Sequence, residues 1–138
     1  MILVLSKEKA RDFKWDEPWA CVSIDTFDGD HPKIDEDNRV GLLQVSFGDV
    51  LDTTNPEWFE KYGEPITEQT AQEIWEFVDK HWNKIDLLMI HCQAGASRSP
   101  AVAAAISKRY EGDDSKYFRV GGGFSPNKTV YERMLMVR

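Results

Sequence analysis

Basic residues, cysteine, histidine and long apolar runs are all scarce in this sequence, and each scarcity narrows what the chain can do. Lysine and arginine number 17 against 24 aspartates and glutamates, a formal charge of −7. A general binder of nucleic acid or of anionic membrane needs a basic face, so neither is expected as a partner. The 2 cysteines, Cys21 and Cys92, are too few for a disulfide scaffold, and free thiols in a reducing compartment are expected. The 3 histidines, His31, His81 and His91, are scattered. None has the spacing of a metal site, so no metal and no cofactor is expected. No apolar run approaches the roughly 20 residues of a membrane-spanning helix. The opening Met1–Leu5 stretch is too short for a signal-peptide core and is followed at once by Lys7, Glu8 and Lys9, which points to the cytoplasm. Internal repeats and low-complexity segments are absent as well.

What remains is an ordinary globular composition. The chain has 138 residues, 41% hydrophobic and 30% charged, which fits one domain over residues 1–138. Short apolar runs at 2–5, 19–24 and 40–47 predict strands. Residues 25–39 carry six acidic residues among Gly29 and Pro32 and predict a solvated acidic loop with His31 exposed on it. Residues 48–65, with their glycines and prolines, also predict a loop. Thr67 predicts the cap of a helix to about Trp82, because Ala71, Ile74, Trp75, Phe77 and Val78 recur at helical spacing. Ile85–Ile90 is nearly unbroken in apolar character, as a central parallel strand is. A loop over 91–98, an alanine-rich helix from Arg98 to Tyr110, a short helical piece at 113–118, a glycine turn at 121–123 and a last helix capped by Asn127 and ending near Val137 complete the chain. Strands alternating with helices predict an α/β fold, a central mostly parallel sheet flanked by helices on its faces. Ligands of such sheets bind beyond the carboxyl ends of the strands, where the loop after Ile90 lies.

That loop reads His91-Cys92-Gln93-Ala94-Gly95-Ala96-Ser97-Arg98-Ser99. A tight loop entering a helix turns successive N–H groups of Gln93, Ala94, Gly95, Ala96 and Ser97 into one concavity, and the helix N-terminus adds positive potential. Gly95 permits a close curl, and small Ala94 and Ala96 allow it. The same field favours the thiolate of Cys92, the nucleophilic form of a thiol. Arg98 offers a planar fork that matches two phosphoryl oxygens. Ser99 supplies a hydroxyl near the sulfur that can stabilise it as a leaving group, and His91 is expected to orient the loop through its ring. A nucleotide phosphate loop of the Gly-Lys-Ser/Thr kind is a different pattern. For Cys21, mid-strand, the expectation is core; a reversible disulfide with oxidised Cys92 needs their Cα atoms within about 7 Å.

The segment from His91 to Ser99 resembles the signature loop of the cysteine-dependent protein tyrosine phosphatase superfamily. Gln93-Ala94-Gly95 and Ser97-Arg98-Ser99 are most similar to its dual-specificity branch, and short bacterial and phage phosphatases resemble the chain over much of its length. The resemblance implies the phosphatase fold and cofactor-free hydrolysis of phosphomonoesters through a phosphocysteine. Phosphate, sulfate or vanadate would occupy the site as anions. It also implies an aspartate donor on a loop upstream of the cysteine, after a strand. Here that is Ser46-Phe47-Gly48-Asp49-Val50, with Asp49 as the first choice and Asp52 as the rival. Relatives often carry two adjacent acids there; Gly48 in the first position leaves one, on a loop expected to be more mobile. By the same resemblance Asn127, first a helix cap, braces the phosphate loop. Trp58 and Phe59 are expected to pack, with substrate contact the alternative.

The absence of lysine or further arginine from 93–97 disfavours highly charged inositol phosphates. A phosphorylated protein or peptide, on tyrosine and/or serine/threonine, is the leading substrate, and one of neutral or basic character would suit the acidic loop 25–39. A small phosphoester (a nucleotide, RNA end or inositide) and a non-catalytic phosphate-binding module are the alternatives.

Overall fold

The computed structural model describes residues 1–137. Four strands, β1 (Ile2–Ser6), β2 (Trp19–Asp25), β3 (Arg39–Ser46) and β4 (Leu87–Cys92), form one sheet in the order β1-β4-β2-β3. All three pairings are parallel, so every strand delivers its carboxyl end to the same edge. The helices are α1 (Lys7–Arg11), α2 (Phe59–Tyr62), α3 (Glu68–His81), α4 (Arg98–Tyr110) and α5 (Lys128–Met136).

Alternation along the strands sorts the core into two layers. Ala20, Val22 and Ile24 of β2 and Leu88, Ile90 and Cys92 of β4 face a large cluster built with α3, α4 and α5. Trp19, Cys21, Leu87 and Met89 face the other way, into a smaller cluster with Ala10 and Ile34. The expected helices on both faces are thus unequal: three substantial helices share one face, and the other is covered by one short helix and extended chain. The alanines of α4, all buried, let this helix sink between sheet and α5. Thr67 caps α3 by accepting from the Thr70 amide at 3.1 Å, and Asn127 caps α5 through the Val130 amide at 3.1 Å.

Two expectations are corrected. The last strand begins at Leu87, two residues later than the apolar run suggests, because pairing with β2 starts at Trp19↔Leu87. It runs on through His91 and Cys92, which pair with Leu5 and Ser6 of β1; the cysteine therefore ends a strand instead of sitting in a loop. Residues 25–39 are likewise not simply solvated. They form the crossover between two adjacent parallel strands, with Pro32 and Ile34 buried as anchors. Asp25 pairs with Lys7 at 2.8 Å and Asp35 with Lys14 at 3.5 Å. His31 is half-buried, held by Ser23 at 2.9 Å and Ser46 at 3.1 Å.

Candidate active site

The loop after β4 carries a row of unsatisfied donors. Among the described residues the amides of Ala94, Gly95, Ala96 and Ser97 have no protein acceptor, while three of the loop carbonyls are taken. Lys7 N–H donates to the Gln93 carbonyl (3.1 Å), Ser125 N–H to that of Ala96 (2.7 Å) and Asn127 N–H to that of Ser97 (3.0 Å). Amides left without partners are costly wherever water is excluded, and with the carbonyls pinned outward they are turned inward together. Ser97 stands at the N-cap of α4 but does not cap it. Its hydroxyl donates instead to Asp49 Oδ1 at 2.7 Å, which leaves the positive end of a thirteen-residue helix open to an anion. Gly95 has φ +71°, and a Cβ there would lie 2.7 Å from the Leu5–Ser6 backbone. Both the curl and the contact with β1 require glycine.

Cys92 lies beneath the loop, 2% exposed, with Sγ 3.0 Å from Ser99 Oγ. Arg98 is 6% exposed and its Nη1 donates to Thr26 Oγ1 (3.0 Å) and the Phe47 carbonyl (2.9 Å). Those bonds fix the guanidinium at the wall of a cleft of about 350 Å³, shared with Lys7, Phe27, Asp49, Tyr62 and Gln93. The ends of β1, β2 and β3 thus all contribute. Thr26 and Lys7 gave no sequence motif; the only signal available was their position just beyond a strand's carboxyl end.

Asp49 borders this cleft, whereas Asp52 does not; it borders an adjoining one with Trp58, which shares Asp49 and Tyr62 with the first. Asp49 Oδ1 accepts from Ser97 Oγ and from Asn127 Nδ2, each at 2.7 Å. Asn127 therefore braces the 93–97 loop through its main chain and Asp49 through its side chain. Asp52 is turned to Thr54, whose hydroxyl (2.6 Å) and amide (2.9 Å) hold its carboxyl below the ordinary range. The mobility expected from Gly48 is corrected: a Cβ there would meet the Tyr62 carbonyl at 2.1 Å, and its amide donates to Glu64 at 2.6 Å. The glycine is there because α2 packs against it. Trp58 is exposed and Phe59 half-buried.

Cys21 faces the opposite side of the sheet from Cys92, beside Met89. Burial pushes its thiol up to about 12, and the facing gives no route to a disulfide with Cys92. His91 is fully buried; Nε2 lies 2.6 Å from Ser23 Oγ and Nδ1 3.4 Å from the Cys92 carbonyl. Burial lowers its imidazolium from 6.5 to about 4. A histidine that binds its proton more weakly when folded stabilises the fold fully above the unfolded value. That contribution, about 3 kcal/mol, is lost as pH falls from about 6.5 to 4. Urea unfolding across this window is expected to show a decline in stability steeper in the parent than in H91N, which keeps only the contribution of other groups such as His31; equal slopes in both proteins would refute it.

No family model matches the sequence, and no curated protein matches it. Solved structures do. The human tyrosine phosphatase-like serine/threonine/tyrosine-interacting protein superposes with a TM-score of 0.66 at 16% identity, over 98% of this chain and 89% of that one. Human DUSP28 gives 0.61 at 16% identity, over 99% and 90%. The chain has the dual-specificity phosphatase fold. PTPMT1 in complex with PI(5)P shares it too, with a TM-score of 0.60 at 16% identity over 99% and 89%. Within this fold, Cys92, Arg98 and Asp49 all lie at the carboxyl edge of the sheet, and Arg98 and Asp49 line the same cleft. Among the described residues no helix is long and apolar enough to cross a membrane, and no group of three metal-ligating side chains is gathered.

Proposed function

We propose that the chain is a cysteine-dependent phosphomonoester hydrolase, with phosphorylated protein or peptide as substrate and phosphotyrosine preferred. The observation that carries this reading is the set of unpaired amides of Ala94–Ser97 in one loop between a nucleophile candidate and a fixed guanidinium. Such a loop is complementary to a tetrahedral dianion and more so to the charge of an in-line transition state. The Cys92 thiolate attacks phosphorus; the P–O bond to the leaving group breaks, and Asp49 gives that oxygen a proton. Water then attacks the phosphocysteine, returning a proton to Asp49. The S–P bond breaks and sulfur leaves as a thiolate supported by the Ser99 hydroxyl at 3.0 Å. Arg98 holds two equatorial oxygens throughout.

Phe27 and Tyr62, 47% and 50% exposed, wall the cleft and offer ring faces to a phenyl group. Lys7 is neutralised by Asp25 at 2.8 Å and no cation stands in 93–97, which disfavours a polyphosphorylated inositol headgroup. Intact Cys92, Arg98 and Ser99 speak for turnover over mere binding. Hydrolysis of a chromogenic aryl phosphate in excess chelator, abolished by vanadate, is the expected result, with phosphotyrosine peptides turned over at least about tenfold faster than inositides. Anion binding without turnover would overturn the enzymatic reading, and preference for inositides the substrate class.

A further inference from the structure

A chain of hydrogen bonds runs from the phosphate loop to the surface on the far side of the sheet from α4. The Cys92 carbonyl lies 3.4 Å from His91 Nδ1, and His91 Nε2 lies 2.6 Å from Ser23 Oγ. Ser23 Oγ is 2.9 Å from His31 Nδ1, His31 Nε2 is 3.1 Å from Ser46 Oγ, and Ser46 Oγ donates to Asp28 Oδ1 at 2.5 Å. The protons along this chain are interdependent. Each hydroxyl has one proton to give. The bond to the Asp28 carboxylate is charge-assisted and about twice as strong as a neutral one, so the Ser46 proton is committed to Asp28. His31 must then donate from Nε2. If His31 is neutral, its bare Nδ1 takes the Ser23 proton, His91 must donate to Ser23 from Nε2, and its bare Nδ1 faces the Cys92 carbonyl with no proton between them. If His31 carries a second proton, every link is satisfied. His31 donates to Ser23, Ser23 to His91 Nε2, and His91 Nδ1 to the Cys92 carbonyl.

We propose that His31 is a positioning residue whose protonation, passed through Ser23, selects the tautomer of His91 and so decides whether the Cys92 carbonyl is held. When held, the peptide between Cys92 and Gln93 is polarised and its N–H becomes a better donor into the anion nest. The groups facing His31 are Asp25 at the end of β2, Asp28 and Asp30 of the crossover, and Lys7 of α1; His91 is faced by Asp25, His31 and Lys7. Burial pulls the His31 imidazolium below its ordinary range, Lys7 acts in the same sense, and the three aspartates oppose it. The transition therefore lies on the acid side of the usual histidine range.

Protein with 15N-labelled histidine rings, titrated from about pH 4.5 to 8 in phosphate-free buffer, tests this directly, because ring nitrogen shifts report each tautomer. His91 is expected to pass from Nδ1–H to Nε2–H with the same midpoint as His31. S23A should uncouple the two rings. D28A, at the exposed end, frees the Ser46 proton for His31 Nε2 and should keep His91 in the Nδ1–H form throughout. A single His91 tautomer while His31 titrates, or a transition unaltered in both variants, would overturn the proposal. A second arm rests on the phosphatase reading: kcat/KM for an aryl phosphate should fall about fivefold as His31 loses its proton, and this step should vanish in D28A. An unchanged step in D28A counts against the proposal. If the protein proves not to be a phosphatase, the ring shifts still decide the matter.

Discussion

Replacing Cys92 by serine is expected to lower turnover of an aryl phosphate by at least about 10⁴-fold while leaving vanadate or phosphate affinity within about threefold. The two halves of this result come from different parts of the site. Binding depends on the amides of Ala94–Ser97 and on Arg98, which is fastened to Thr26 and Phe47 at 3.0 and 2.9 Å; neither fastening involves sulfur. Turnover, in the proposed mechanism, depends on the sulfur as nucleophile. Among the described residues, the side-chain hydrogen-bond partner at that position is the Ser99 hydroxyl. His91, the nearest imidazole in sequence, is turned to Ser23 and the Cys92 carbonyl. Since that partner is a hydroxyl and not a base, the serine is expected to stay protonated. Stopped-assay kinetics together with calorimetric anion titration check both halves. Retained turnover would remove Cys92 from the chemistry, and lost binding would show that sulfur organises the nest.

The second large effect is expected at Asp49. D49N should slow hydrolysis of a poor leaving group, such as an alkyl phosphate, by about 10²- to 10³-fold, and of a nitrophenyl ester far less, because a stable leaving anion needs no proton. Asparagine keeps an oxygen for Ser97 and Asn127, so the loop is spared and only the proton is lost. The two carboxylate oxygens divide the work of anchoring and of proton transfer. Oδ1 is occupied by those two donors, while Oδ2 accepts no hydrogen bond from the described residues and can carry the proton. D52N should stay within about twofold of the parent, since Thr54 favours the ionised form of Asp52 and Asp52 does not line the Arg98 cleft. A steep leaving-group dependence in D52N, or its absence in D49N, would reverse the assignment.

The parts of this architecture that could be read in the sequence are those decided locally. The alanine-rich helix begins at Arg98 and ends at Tyr110 as its composition suggests, and Thr67 and Asn127 sit at the caps their chemistry favours. The nucleophile, the arginine and the amides between them are contiguous, so spacing alone gathers them. Helix α1, capped by Ser6, escaped notice because five residues are too few to display a period. So did α2, hidden among prolines and glycines. The crossover misled because its many carboxylates mask two apolar anchors, Pro32 and Ile34. Ser23 lies in β2, and Lys7, Thr26 and His31 lie in the segments that follow β1 and β2. Register brings them together, and register is a property of the whole sheet.

The phosphate loop is closed by residues well downstream of it. Ser125 and Asn127 secure the carbonyls of Ala96 and Ser97, and Asn127 also steadies Asp49. On the ribosome this ordering has a temporal meaning. A growing chain that has extruded its cysteine and arginine still holds an unfinished ring, and the proposed centre is complete only when the stretch leading into α5 has emerged. Reactivity is thereby postponed until the surrounding domain is ready to enclose it.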